Sequence, residues 1–219
     1  MSPHAPDSTR EQDGYYGQRR PDLVADLPRP LGRVLDLGCG EGGTAPGLRA
    51  AGATWISGIE LHPPAAERAA EVMDETLVGR IEDLLDRLQG PFDTILLYDV
   101  LEHLPDPTSV LVALHRHAAP GARLHISVPN ARHWSLLRDL VLRGTFGYTD
   151  AGHRDATHLR WFTRSDLEEL LRGTGWNPEP GSHPALRGGH RRLHQLTRGR
   201  LAEFTFWQWV VLARREGDA

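Results

Sequence analysis

Residues 34–44, VLDLGCGEGGT, constrain what this chain can fold into more than any other stretch. A short apolar run from Val34 to Leu37 ends in glycines at 38, 40 and 43, and the helix-forming segment TAPGLRAAG follows. That order is a β-strand handing over to an α-helix through a tight turn. The unit then repeats, with WISGIE as a second strand and PPAAERAAEVMD as a helix opened by Pro63 and Pro64. ETLVG supplies a short third strand, FDTILLYDV a buried fourth and ARLHISVPN a fifth. Between the last two, Asp106 is placed to cap a helix that Pro107 begins and Pro120-Gly121 stops. Alternating short strands and helices predict an α/β fold with a doubly wound parallel sheet, whose ligands lie beyond the carboxyl ends of the strands.

A chain of 219 residues, 39% hydrophobic, can bury one substantial core but is short for two. A single domain is expected over 14–219, preceded by a loose polar tail over 1–13. The regularity breaks after Asn130. Roughly thirty residues, 131–163, separate SVPN from a helix that Thr163 caps, with Asp166 as its reciprocal partner; that is long for a connection and is expected to cover the site. FTFWQWVVLARR closes the sheet as an aromatic, β-branched strand. The basic RGGHRRLHQLTRGR before it reads as a solvated face.

A formal net charge of −4 argues against a duplex nucleic-acid binder, which needs a basic face for phosphate. No apolar run approaches membrane-spanning length and the opening residues carry no secretion signal, so a cytoplasmic protein acting on a small molecule, away from membranes, is expected. The single cysteine, Cys39, can form no internal disulfide; no base stands beside it in sequence, and it reads as packing.

The spacing G-x-G-x-x-G alone serves any nucleotide-like ligand, and neighbouring residues must choose among them. Glu60, ending the second strand 20 residues after Gly40, can accept the two hydroxyls of an adenosine ribose, which suits a dinucleotide and S-adenosylmethionine equally. Glu41 would repel a pyrophosphate at the first helix. Asp36, at the end of the first strand, can attract a methionine ammonium or the sulfonium region, and a dinucleotide has no cation there.

Together VLDLGCGEGG, the acid of GIE, FDTILLYDVLEHLPDP, APGARLHISVPN and the GW at Gly175-Trp176 resemble the class I S-adenosylmethionine-dependent methyltransferases, over most of the chain. YYGQRRPDL, SVPNARHW and THLRWFT are similar to a bacterial small-molecule subgroup near MetW-like and UbiG-like proteins, found in saccharide and natural-product pathways. The resemblance implies a seven-stranded sheet with its last strand antiparallel, and methyl transfer that leaves S-adenosylhomocysteine. It assigns cofactor contact to Asp36, Gly38, Cys39, Gly40, Glu60, Leu61, Asp99 and Val100, with Tyr16, beside Tyr15, closing over cofactor or acceptor. The subgroup commonly has an acid directly after VG of the third strand, whereas this chain has VGRIEDL. Adenine contact therefore passes to Ile81 and Glu82, which equally suit a solvated helix start.

Methyl transfer needs alignment and exclusion of water, and an alcohol acceptor also needs a base. His103, in LEHL past the fourth strand, is the first candidate; His133 and His158 follow, with His133 also suited to opening a helix and His158 to tying down a loop. His153, Asp155 and His158 of HRDATH match no metal-ligand spacing, and no metal is expected. Glu102 reads, with Asp99, as a cap or a contact to the methionine end. The expected activity is O-methylation of a sugar or glycosylated natural product. N-methylation of an amino sugar, and a non-catalytic partner protein, are the alternatives; oligomeric state is not legible.

Overall fold

The computed structural model describes residues 17–180 and 201–215, so the tail 1–13, Tyr15, Tyr16 and the basic stretch 187–200 lie outside the described residues. Seven strands form one sheet: β1 (Gly32–Leu37), β2 (Ala53–Glu60), β3 (Glu75–Val78), β4 (Phe92–Tyr98), β5 (Ala118–Pro129), β6 (Trp176–Pro178) and β7 (Gln208–Arg215). Their order is β3-β2-β1-β4-β5-β7-β6. The first five run parallel, and β7 lies antiparallel between β5 and β6. Val34 to Leu37 are all buried, because a parallel sheet is covered on both faces and its strands read as continuous apolar runs. The expected α/β, doubly wound fold with an antiparallel last strand is what the chain adopts.

Two apolar layers cover the sheet. On one side pack α1 (Pro21–Ala25), α2 (Ala45–Ala50) and α3 (Pro63–Ala69), through Leu23, Val24, Leu48 and Ala69 against Val34 and Ile56. On the other, α4 (Ile81–Leu84), α5 (Pro107–Leu114) and α7 (Arg164–Gly173) bury Leu84, Leu111, Leu167 and Leu171 with Trp176 and Trp209. Asp106 caps α5, its Oδ1 accepting from Ser109 N at 3.1 Å. Thr163 and Asp166 close a full capping box on α7.

Pro120-Gly121 does not stop the helix. After α5 the chain makes a short 3-10 turn over His115–His117 and enters β5 at Ala118, so the pair falls within the strand. There the pairing slips, from Phe92 with Ala118 to Thr94 with Arg123, and Gly121 takes φ +71°. A ladder interrupted by a bulge tolerates a residue without N–H beside one with positive φ.

The insertion carries α6 (Trp134–Arg143) and a 3-10 turn over Gly152–Arg154. Asn130, fully buried, anchors it to the C-terminal segment: its Nδ2 donates to Glu203 O at 2.7 Å and Phe206 O at 2.9 Å, and its N to Trp207 O at 3.1 Å. A last short helix, α8 (Ala202–Thr205), leads from there into β7. No helix among the described residues is long and apolar enough to cross a membrane.

Candidate active site

The carboxyl ends of β1, β2 and β4 meet at the glycine turn. Gly38, Gly40 and Gly42 hold φ of +72°, +55° and +74°, and Gly38 N donates to Ile59 O at 2.8 Å. A Cβ on Gly38 would lie 2.6 Å from Val100 Cγ2, so the end of β4 packs directly on the turn. Gly43 serves differently: a Cβ there would lie 2.5 Å from Gln18 O, because the backbone before α1 rests on it.

Glu60 is 6% exposed. Its Oε2 accepts from Gly40 N at 2.9 Å and its Oε1 from His62 N at 2.8 Å. A carboxylate offers about four acceptor sites, so two remain for paired hydroxyls. Asp36 is 2% exposed and accepts from Thr44 Oγ1 at 2.6 Å. Burial raises its pKa to about 6, the Thr44 hydrogen bond opposing, the Glu60 charge adding and Arg20 opposing. Two buried carboxylates flanking a glycine cradle fit an adenosyl group with a cationic tail. Cys39 is no nucleophile, since burial and then the charges of Asp36 and Glu60 push its thiol far up. Leu61 lies exposed beyond β2, and Ile81 is buried at the start of α4. Glu82, in the first turn of α4, pairs with Arg80 at 3.2 Å, as a helix start would. Glu60→Ala is expected to raise the dissociation constant of S-adenosylhomocysteine by about 10–150-fold, the scale of a charge-assisted hydrogen bond, measured by calorimetric titration. Unchanged affinity would remove Glu60 from the site.

Asp99 is held by side chains from three other segments. It sits at φ +56°, and its ion-pair partner Arg20 at φ +41°, the two non-glycine residues with positive φ among the described ones. Ser127 Oγ and Gln208 Nε2 donate to Asp99 Oδ1 at 3.1 and 2.6 Å, and Arg20 also donates to Gln208 Oε1 at 2.8 Å. So engaged, Asp99 braces a wall, and its three donors leave one of about four carboxylate acceptor sites for the expected cofactor contact. Arg20, Ser127 and Gln208 were not singled out in the sequence; a lone polar residue opening the apolar QWVVLA run was the available signal.

Beyond this wall opens a cavity of about 770 Å³, lined among others by Arg20, Asp99, Glu102, His103, Asp155, His158 and Trp207. His103, in the turn Leu101–His103 after β4, is half-buried. Its Nδ1 lies 3.3 Å from Thr157 O and 3.2 Å from Thr157 Oγ1. Thr157 donates to Asp155 Oδ1 from Oγ1 at 2.6 Å and from N at 2.8 Å. The hydroxyl proton being given to Asp155, Thr157 accepts from His103 Nδ1–H, which assigns the tautomer and leaves the His103 Nε2 lone pair open.

His158, on the same wall, makes an edge-to-face contact with His103 at 4.8 Å. Burial, then the neighbouring His103, hold His158 below the ordinary histidine range against Asp155 and Asp99. His133 is not on the wall. It caps α6, with Nδ1 accepting from Ser135 N at 3.4 Å, and stacks on His153 at 4.8 Å, while His153 bonds Trp207 O at 2.7 Å. The local demand of a helix start has claimed that ring. The HRDATH residues divide likewise, His153 facing Trp207 while Asp155 and His158 reach the cavity. The three-donor group that does assemble is Glu102, His103 and His158, with donor atoms within 4.8 Å of one another.

A family model for a methyltransferase domain matches residues 9–180. The ubiquinone biosynthesis O-methyltransferase of Dechloromonas aromatica (strain RCB) is 30% identical over 164 residues, covering 67% of this chain and 69% of that protein. The same enzyme of Thiobacillus denitrificans is 34% identical over 172 residues, 70% and 73% of the two chains. Six further ubiquinone biosynthesis O-methyltransferases match over 42–62% of their own length. Among solved structures, an S-adenosylmethionine-dependent methyltransferase from Mesorhizobium loti superposes with a TM-score of 0.60 at 21% identity, covering 93% of this chain and all of that one.

Proposed function

The chain belongs to the class I S-adenosylmethionine-dependent methyltransferases, and on that premise we propose that it methylates a hydroxyl of a small polar acceptor of the saccharide or glycosylated natural-product class, with His103 as general base. The observation that carries this is the Asp155–Thr157–His103 relay, which holds an open imidazole nitrogen on a cavity wall beside the carboxyl end of β4. A volume of about 770 Å³ suits a small molecule, and the lining is rich in Arg, Asp and His side chains that match a polar one. The relatives' names specify oxygen as the acceptor.

When bound, S-adenosylmethionine supplies a methyl already activated on a sulfonium. In this reading Glu60 holds the ribose and Asp36 the methionine ammonium. Asp99, braced by Arg20, Ser127 and Gln208, keeps the wall between cofactor and cavity in place. His103 Nε2 takes the acceptor's hydroxyl proton as its oxygen attacks, and Thr157 passes the field of Asp155 to the imidazolium that forms. The insertion contributes Ala151, Gly152, Asp155 and His158 to the cavity wall and excludes water there.

The test is incubation with methyl-labelled S-adenosylmethionine and a panel of sugars and glycosides, following S-adenosylhomocysteine and locating the label by NMR. Label on oxygen supports the reading. Label on nitrogen replaces it with N-methylation, and cofactor binding without acceptor-dependent turnover replaces it with a non-catalytic role.

A further inference from the structure

Two of the histidines singled out in the sequence, His133 and His153, take no part in the reaction described so far, and both stand behind one side chain. Their rings are buried and nearly parallel, 11° apart with centroids at 4.8 Å. The Trp207 indole closes the stack, 4.0 Å from His153 and edge to face with His133 at 5.1 Å. Its backbone is pinned as well. Trp207 O accepts from Asn130 N at 3.1 Å and from His153 Nε2 at 2.7 Å, and His153 O accepts from Trp161 Nε1 at 3.2 Å. A Cβ on Gly152 would lie 3.4 Å from indole Cζ2, so the turn over Gly152–Arg154 rests on the ring. Yet Trp207 is 54% exposed and lines the cavity. A lone exposed tryptophan on an outer surface asks for no explanation. One whose ring and carbonyl are both fixed, on the wall of a cavity, is a preorganised binding face.

We propose that Trp207 is the specificity platform of the acceptor site: a pyranose lays the C–H bonds of one face on the indole, side chains of the wall take its hydroxyls, and His133 and His153 position the ring from behind. This rests on the methyl-transfer reading and names the ring geometry its acceptor must have. The neighbours choose the ligand. Gln18, Asp22, Asp26, Asp155 and Gln208 stand among the other lining residues and match hydroxyls radiating from the edge of a saturated ring. A planar aromatic acceptor asks for apolar cover on both faces. Among the described lining residues the other phenyl or indole ring is Phe206, and it is buried. Covering about 55 Å² of apolar surface on the indole is worth about tenfold in affinity.

The experiment labels the protein with 5-fluorotryptophan, loads it with S-adenosylhomocysteine, and titrates it with methyl β-D-glucopyranoside, with sorbitol and with phenol, followed by fluorine NMR. The chain has six tryptophans, and the signal lost in Trp207→Phe is that of Trp207. Saturation-transfer NMR on the ligand gives the affinity of variants that lack the signal. The glycoside is expected to shift the Trp207 signal and to bind at least about tenfold more tightly than sorbitol, which carries its hydroxyls on an open chain with no ring face. Trp207→Ala should weaken the glycoside at least about tenfold while S-adenosylhomocysteine affinity stays within about threefold. Trp207→Tyr, which keeps an aromatic face, should hold the glycoside within about threefold. His153→Ala, which removes the ring behind the indole, should weaken it by about threefold to tenfold with S-adenosylhomocysteine bound as before. Sorbitol matching the glycoside, a Trp207 signal that does not move, or an affinity that survives Trp207→Ala overturns the proposal. Phenol binding more tightly than the glycoside overturns it too, and gives the platform to a planar aromatic acceptor. The methyl-transfer reading fails separately: a protein that binds the glycoside on Trp207 but not S-adenosylhomocysteine keeps the platform and loses its role in methyl transfer.

Discussion

His103→Ala lowers turnover by about 10²–10⁴-fold while S-adenosylhomocysteine binds within about threefold of its wild-type affinity. The split follows from position. His103 lines the cavity, and its ring is hydrogen-bonded to Thr157, on the insertion. The expected cofactor floor is built separately, from Gly38, Gly40 and Glu60. Single-turnover rates across pH separate a base from a merely structural ring. A base leaves the alanine variant without the rising limb that wild type shows at low pH, and buffer imidazole restores part of the rate. Unchanged turnover would remove His103 from the reaction, and a loss of cofactor affinity equal to the loss of rate would make it structural.

Asp36→Asn should strengthen the fold and weaken the cofactor. In the unfolded chain this carboxyl titrates near about 3.9, whereas in the fold burial raises it to about 6. Between those values the folded state keeps a proton that the unfolded state has lost. Stability therefore falls as pH rises from about 4 to about 6, and the loss is complete above that. Two units correspond to up to about 3 kcal/mol. Asparagine keeps the acceptor for Thr44 Oγ1 and carries no charge, so the variant gains most of that amount at pH 7.5 and little at pH 4. Urea denaturation at the two values checks it, and a gap independent of pH would show that ionisation of Asp36 is not the cause. The same variant should bind S-adenosylhomocysteine about 10–150-fold more weakly, having lost the proposed partner of the methionine ammonium.

What the sequence revealed depended on the span of the interaction. Asp106 and Thr163 could be read as caps because their partners are three residues on, and the glycine turn because a strand, a turn and a helix declare themselves within a dozen residues. Glu60 reaches Gly40 across 20 residues, a spacing set by one βαβ unit. The bracing of Asp99 joins it to Gln208, 109 residues away, and no local pattern records that. Thr157 stood inside HRDATH between residues that drew attention, yet a threonine becomes a relay only once His103, 54 residues earlier, is laid against it. His133 shows the converse, a chemically suitable ring taken by the nearest backbone N–H.

The position of β7 bears on how the protein is made. Of the seven strands it is synthesised last, yet it lies between β5 and β6. Until it arrives, β6 has no sheet neighbour and β5 keeps a bare edge. The residues leading into it, Thr205 to Gln208, supply part of the cavity wall, and Trp207 O holds both Asn130 and His153. A nascent chain halted after the insertion therefore carries the whole expected cofactor floor and an unfinished wall to the proposed acceptor cavity. Premature termination there would leave a protein able to capture the methyl donor with no place to spend it, and an unpaired strand to offer to its neighbours.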